Sequence, residues 1–273
     1  VPVVAENLAL ERPRSLKAAL TMLAADPALM PIAGCTDVYV GLNFGTLTER
    51  RFIDLWNLDE LRGIGVKGDV LRIGALTTYT ELIESPLVRK RVPMLAAASQ
   101  EVGGAQIQNR GTLGGNVANA SPAGDTLPAL AAARARIVLA SQGSTRTVPF
   151  EGYYTAYRKS VRRPDELIVA IEIPRIDGRQ WWRKVGTRRA QAISKIMMAA
   201  VRGREVRVAL GSVAPTVVLA SKAAEVLTSG GTIAGAQAAL LTEIKPIDDV
   251  RSTGEYRAKV AANLLAQFWK ETA

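Results

Sequence analysis

Residues 111–125 read GTLGGNVANASPAGD and pack four glycines, two asparagines and a proline into fifteen positions. Glycine tolerates positive φ and carries no Cβ, so a turn of this composition can aim successive amide N–H groups at an anion. Gly111, Gly114 and Gly115 precede Asn116, and Ser121, Asp125 and Thr126 add polar tips. A second short loop, Ala33-Gly34-Cys35-Thr36-Asp37, lies between an apolar run and a helical pattern, where α/β folds collect phosphates. Two such loops suit a pyrophosphate. They also suit tight turns with close backbone packing. Neither the dinucleotide fingerprint G-x-G-x-x-G nor the Walker pattern is present, so spacing alone leaves both readings open.

The residue types that are missing narrow the chemistry further. The 273-residue chain has no histidine and one cysteine, Cys35. Without imidazole there is no Ser-His-Asp or Cys-His pair and no His-ligated metal. A single thiol cannot close an internal disulfide, hold an iron-sulfur cluster or build a structural zinc site. Chemistry, if any, falls to a bound organic cofactor, with the protein supplying position and electrostatics. Any metal belongs to another chain.

Hydrophobic content of 48% with 22% charged residues is that of a folded globular chain, and the length allows two lobes. No apolar run approaches the roughly 20 residues of a membrane span, and no segment reads as a signal peptide, which points to a cytoplasmic protein. The net charge of +10 is uneven: Arg158 to Lys195 holds eleven Lys or Arg against four acids, a local +7. Such a window serves a phosphate-bearing cofactor, an acidic protein partner or solvent. A nucleic acid is disfavoured, because no binding motif accompanies the charge and aromatics make up only 5% of the chain.

The elements that must position these loops follow from periodicity. Ser15 caps a helix carrying Leu16, Leu20 and Leu23, which ends near Asp26-Pro27. A short buried strand over 29–33, a helix over 38–47 and a strand over 51–55 complete a small α/β unit. Lys67-Gly68-Asp69 turns a hairpin between 64–66 and 70–75; Thr77 or Thr78 caps a short helix, and Pro93 opens another over 94–101. A helix over 127–134 and strands over 136–139 and 167–173 follow the glycine stretch, and helix-start amides after Asp125 are further anion donors. Beyond Pro174, strands over 181–186, 196–202 and 206–213 precede helices over 221–227, 234–241 and 255–269. That order is an α+β module with helices on one face of an antiparallel sheet. The boundary is placed near 176.

Seven ordered segments then resemble one family. LERPRSLKAAL, PIAGCTDV, IQNRGTLGGNVANASPAGDTLPAL, YRKSVRRPDELIVAIEIP, KVGTRRAQAISKI, LGSVAPT and IDDVRSTGEYR are similar to the FAD-binding medium subunit of the molybdenum hydroxylases, which include xanthine dehydrogenase, carbon monoxide dehydrogenase and aldehyde oxidase. The resemblance implies an α+β chain. A two-part, PCMH-type FAD-binding domain spans 1–175, with a small lobe over about 1–60 and a larger one over about 61–175, and a C-terminal domain like that of the carbon monoxide dehydrogenase flavoprotein spans 176–273.

By the same resemblance, Ile32, Ala33, Gly34, Cys35, Thr36 and Asp37, with Gly111, Thr112, Leu113, Gly114, Gly115 and Asn116, approach FAD largely through backbone amides. Ser121 adds a polar tip, and Asp125 matches an acidic contact suited to ribose hydroxyls; a helix cap is its other role. Ile168 matches a backbone contact near the flavin. Lys184 matches the lysine near the ring system, where a fixed cation favours the reduced flavin. Val102 stands where some relatives have a flavin-flanking aromatic, Gln191 where some have acids near a nicotinamide site, and Cys35 at the second glycine of an AGGTD loop. If that position demands positive φ, cysteine carries a strain of roughly 1–2 kcal/mol.

Tyr153, Tyr154 and Tyr157 are read as core or as a flavin or subunit contact. Trp181 and Trp182 alternate along a strand, so one faces the core and the other the flavin side or an interface. The implied function is electron transfer. A small subunit with two [2Fe-2S] clusters and a large molybdenum-cofactor subunit are the implied partners, commonly in a dimer of heterotrimers, with NAD+, oxygen or another acceptor. The basic window is a candidate dock for the iron-sulfur subunit. A stand-alone flavin oxidoreductase and an assembly subunit without FAD are the other readings.

Overall fold

The computed structural model describes residues 8–273; the first seven residues of the expected small lobe lie outside it. The N-terminal lobe is a parallel three-stranded sheet in the order β1 (Ala9–Glu11), β3 (Arg51–Asp54), β2 (Met30–Ile32), crossed by α1 (Leu16–Ala25) and α2 (Thr36–Asn43). Ser15 caps α1, its hydroxyl accepting from Ala18 N at 3.1 Å. Strand β2 is half-buried throughout rather than buried, because it forms the sheet's edge.

The second lobe is an antiparallel five-stranded sheet. It runs β4 (Ile64–Lys67), β5 (Val70–Gly74), β10 (Leu167–Ile173), β6 (Arg136–Ser141), β7 (Ser144–Pro149). Between β5 and β6 the chain makes six short helices: α3 (Tyr79–Glu84), α4 (Pro86–Arg91), α5 (Pro93–Gln100), α6 (Ala105–Gln108), α7 (Leu113–Asn119) and α8 (Leu127–Ala132). Thr78, not Thr77, caps α3 in a capping box with Glu81. Strands β8 (Tyr154–Ala156) and β9 (Lys159–Ser160) form a small hairpin with Tyr157 and Arg158 at its tip.

The C-terminal sheet is antiparallel, in the order β11 (Arg179–Val185), β12 (Ile196–Arg202), β13 (Val206–Gly211), β14 (Val218–Leu219), followed by α9 (Ser221–Thr228), α10 (Ile233–Glu243) and α11 (Gly254–Glu271). The helices at the chain's end cover one face, as the pattern predicts, and α5 and α8 of the second lobe cover the other. Alternation explains both. Trp181, Met198, Ala200, Val208 and Leu210 point into the core with α9–α11, while Trp182, Met197, Ala199, Val201 and Ala209 join the core of the second lobe. Trp182 is thus on the loop side, where its indole N–H donates to Asp125 O at 3.2 Å.

Candidate functional site

The two glycine loops are packed back to back. A Cβ on Gly34 would collide with the Arg110 carbonyl, so only glycine allows the first loop to rest on the chain entering the second. Cys35 follows in the left-handed region (φ 61°, ψ 11°), so the strained alternative for this residue is the one realised. Burial, with Asp54 adding, pushes the Cys35 thiol up against the pull of Arg110, the direction that disfavours the thiolate.

Helix α2 begins at Thr36. Its first-turn amides have no intrahelical acceptor, Cys35 offers no side-chain cap, and no other acceptor among the described residues takes them. They are open donors at the positive end of a helix dipole. Asp37 in this turn is held from outside, its Oδ1 accepting from Asn119 Nδ2 at 3.0 Å. Burial raises the Asp37 carboxyl, while Arg158 at the hairpin tip and Asn119 pull it down.

The second loop is different from expectation. Gly111 N donates to Ile107 O, Leu113 N to Thr77 O, Gly114 N to Ala75 O, Gly115 N to Thr112 Oγ1 and Asn116 N to Thr112 O, all within 2.6–3.1 Å. The Thr112 cap of α7 engages Gly115 and Asn116, and close packing on Ile107, Thr77 and Ala75 engages the other three. Of the second-loop amides expected to face the cofactor, these five have acceptors inside the chain, whereas the Thr112 amide and the first-turn amides of α2 have none among the described residues. Gly111 and Gly114 are small for packing, since a Cβ would press on the Tyr79 ring and on the Ala75 backbone respectively. Leu113 is fully buried in the core, which removes its side chain from any cofactor. Asn116 Oδ1 accepts from Thr126 Oγ1 at 2.6 Å and ties α7 to the start of α8.

Asp125 and Lys184, assigned separately from the sequence, form one buried ion pair. Lys184 Nζ lies 2.8 Å from Asp125 Oδ2, with side-chain exposures of 5% for the lysine and 10% for the aspartate. Burial raises the Asp125 carboxyl to about 6 even though Lys184 lowers it. Asp125 does not cap a helix: Thr126 holds the position before α8, and Asp125 Oδ1 is buried without any partner among the described residues. At the start of α8, Leu127 N donates to Gly124 O and Pro128 has no N–H, so neither of these two positions offers an open donor.

Lys184 also donates to Glu101 O at 3.0 Å, which brings half-buried Val102 beside the pair. Gln191, in the left-handed region, lies against Gly104. Ile168 is buried at a β-bulge in β10; the bulge turns the Val169 carbonyl to Ala75 N, and Ala75 O in turn holds Gly114. Ser121 makes a local turn, its hydroxyl accepting from Ala123 N at 3.3 Å. Ile32 and Ala33 carbonyls accept from Leu55 N and the Cys35 thiol.

Three further residues in this region were not singled out as cofactor contacts from the sequence. Tyr79 packs on Gly111, Arg110 stacks 3.7 Å from the Trp56 ring centroid, and Arg158, far from Asp37 in sequence, acts on its carboxyl through the fold. The basic window divides. Arg163 pairs with buried Glu166 at 2.9 Å, Arg162 donates to the Glu166 carbonyl, and Arg146 from β7 completes the cluster at 2.6 Å, so Arg162 and Arg163 serve the fold. Tyr153 and Tyr154 belong to the core, whereas Tyr157 is exposed.

FAD fits this arrangement on two observations. The α2 amides are unclaimed donors for an anion, and Asp125 Oδ1 is an orphaned buried acceptor suited to a hydroxyl. No group of three metal-ligating side chains occurs among the described residues, and no helix there is long and apolar enough to cross a membrane.

Comparisons with known proteins agree. Residues 6–176 match the family model described as the FAD binding domain in molybdopterin dehydrogenase, and residues 182–272 match the carbon monoxide dehydrogenase flavoprotein C-terminal domain. The chain is 32% identical over 260 residues to the putative xanthine dehydrogenase FAD-binding subunit of Escherichia coli K12, covering 90% of this chain and 89% of that one. It is 32% identical over 229 residues to the carbon monoxide dehydrogenase medium chain of Hydrogenophaga pseudoflava, covering 78% of each. A solved structure of carbon monoxide dehydrogenase from the same organism superposes with a TM-score of 0.92 at 26% identity, covering 99% of this chain and 100% of that chain. The open amides, the orphaned carboxylate oxygen and these matches make one conclusion: the chain belongs to the FAD-binding medium-subunit family of the molybdenum hydroxylases.

Proposed function

We propose that this chain is the electron-transfer subunit of a complex in which a small partner carries [2Fe-2S] clusters and a large partner carries the molybdenum cofactor. Electrons pass from the clusters through FAD held here to NAD+, oxygen or another acceptor. When bound, FAD supplies the exchange between one-electron and two-electron transfer. The chain's own residues hold and bias it. The first-turn amides of α2, from Thr36 onward, take an anionic pyrophosphate oxygen, and Asp125 Oδ1 accepts from a ribose hydroxyl. Lys184 contributes a fixed cation whose position is set by Asp125 and the Glu101 carbonyl. Val102, next in the chain to the Glu101 carbonyl, supplies an apolar wall beside the lysine.

The observation that carries this reading is the buried Asp125, paired through one oxygen and open through the other. The absence of histidine and of cluster ligands supports the division of labour, since the proposed role needs neither a general base nor a metal in this chain. The test is an absorption spectrum with metal analysis on the natively purified complex. Flavin bands at one FAD per copy, with molybdenum and iron in the same sample, are expected. A correctly folded complex without flavin overturns the proposal, and a yellow chain active alone, without metals, turns it into a stand-alone oxidoreductase.

A further inference from the structure

Two sequence segments with no part in the cradle meet behind it. LGSVAPT ends β13 and IDDVRSTGEYR runs into α11, and a buried arginine of the second, Arg257, holds a serine of the first. Arg257 is only 4% exposed. Its Nη1 donates to Ser212 O at 2.8 Å and its Nη2 to Asp249 Oδ1 at 2.6 Å, whereas Nε meets no partner among the described residues. A guanidinium is costly to bury, and an apolar side chain of similar length would pack here at less cost, so the joining of these two groups is what its burial secures.

Ser212 carries that hold to the cofactor loop. It lies in the left-handed region (φ 64°), which a serine keeps only where its surroundings fix it. Its carbonyl is taken by Arg257, its hydroxyl lies 3.0 Å from that of buried Ser194, and its N–H donates to Pro122 O at 2.8 Å. A Cβ on the preceding Gly211 would lie 3.0 Å from the same Pro122 oxygen, so the end of β13 rests on the loop that carries Asp125. Three residues further along, Asp125 O accepts from the Trp182 indole N–H at 3.2 Å. These two anchors of the 122–125 backbone come from beyond residue 176, and Gly124 lies between them.

We propose that Arg257 is a positioning residue for the cofactor site: by holding Ser212 O it keeps the Ser212 amide on Pro122, and so sets the 121–125 loop from which Asp125 meets FAD. The inference rests on the FAD reading above for its ligand, while the relay from α11 to the loop is independent of it. Arg251 supplies the control, since it pairs with the same Asp249 at 3.0 Å and makes no hydrogen bond to Ser212.

The experiment uses the assembled complex, stripped reversibly of flavin, in wild type, Arg257→Met, Arg257→Lys and Arg251→Met. Amide hydrogen exchange read by mass spectrometry is expected to quicken by about tenfold or more over 121–126 in Arg257→Met, by less in Arg257→Lys, which keeps a charge for Asp249 without the planar fork, and not at all in Arg251→Met. FAD affinity should fall by about tenfold in Arg257→Met, and by about twofold or less when the same change is made in an Asp125→Asn background, because both act through one contact. Unchanged exchange over 121–126 in Arg257→Met overturns the inference. An equal rise in Arg251→Met overturns it too, since general loosening of the C-terminal domain then suffices, and so do additive losses of affinity. If Arg257→Met does not assemble, Arg257→Lys carries the same test. A wild-type complex that takes up no FAD refutes the underlying reading instead, and the exchange measurement still decides the relay.

Discussion

Asp125 and Lys184, 59 residues apart in sequence, form an ion pair 2.8 Å long that is almost wholly buried, and the second Asp125 oxygen faces no partner. Removing one member leaves a buried charge uncompensated, so Lys184→Met is expected to destabilise the protein by about 3–5 kcal/mol, read by denaturant unfolding. Asp125→Leu combined with Lys184→Met should recover much of that loss, and recovery below a third of it would show that the pair is not the source.

The same two positions make opposite predictions for the flavin. Lys184→Met removes a cation and should lower the flavin midpoint potential, while Asp125→Asn removes the countercharge and should raise it. Spectroelectrochemistry on the assembled complex decides this, and shifts of the same sign in both variants would count against it.

Acid stability has two contributions of opposite sense. Glu166, lowered to about 2 chiefly by Arg146, stabilises the fold above the ordinary Glu range, and this is lost as pH falls from about 4.5 to 2. Asp125 is raised to about 6, so the native state holds its proton longer than the unfolded chain does; its contribution is full below about 4 and is lost as pH rises to 6. Unfolding free energy measured against pH should therefore lose its acid-side fall in Glu166→Gln and its loss between about 4 and 6 in Asp125→Asn.

Backbone shape at the first loop is equally testable. Cys35→Gly relieves a left-handed strain of about 1–2 kcal/mol while freeing the unfolded chain by about 0.5–1 kcal/mol, for a net gain of up to about 1.5 kcal/mol. Cys35→Val, β-branched at the same φ, should lose stability. Thermal melts of the two variants moving in the same direction would refute the assignment.

Gly34→Ala drives a methyl into the Arg110 carbonyl and is expected to cost about 2 kcal/mol or more and to abolish flavin binding. Gly45→Ala, where a Cβ meets nothing, isolates the effect of a positive φ and should keep the flavin. Flavin content of the two purified variants separates contact from conformation.

Much of the framework could be read before any coordinates. The Ser15 cap, the Lys67-Gly68-Asp69 turn and the alternation of Trp181 and Trp182 are local signals, and each element stands where its signal put it. The short strands β1, β8, β9 and β14 were not readable, since two or three residues carry too little periodicity. At the site, the family resemblance pointed to Asp125 and Lys184, but their pairing is a tertiary fact. That the Gly114 and Gly115 amides donate to Ala75 and Thr112 was equally illegible, since glycine marks a close approach without saying what the neighbour is.

The C-terminal sheet, with Trp182, Met197, Ala199, Val201 and Ala209 on the face turned toward α5 and α8, has a consequence for descent. A segment that lends one face of its sheet to its neighbour's interior cannot be exchanged between relatives as a free cassette. Recombination near residue 176 would join two half-interfaces shaped separately, so the two pieces are inherited under a common constraint, and drift in one must be answered in the other.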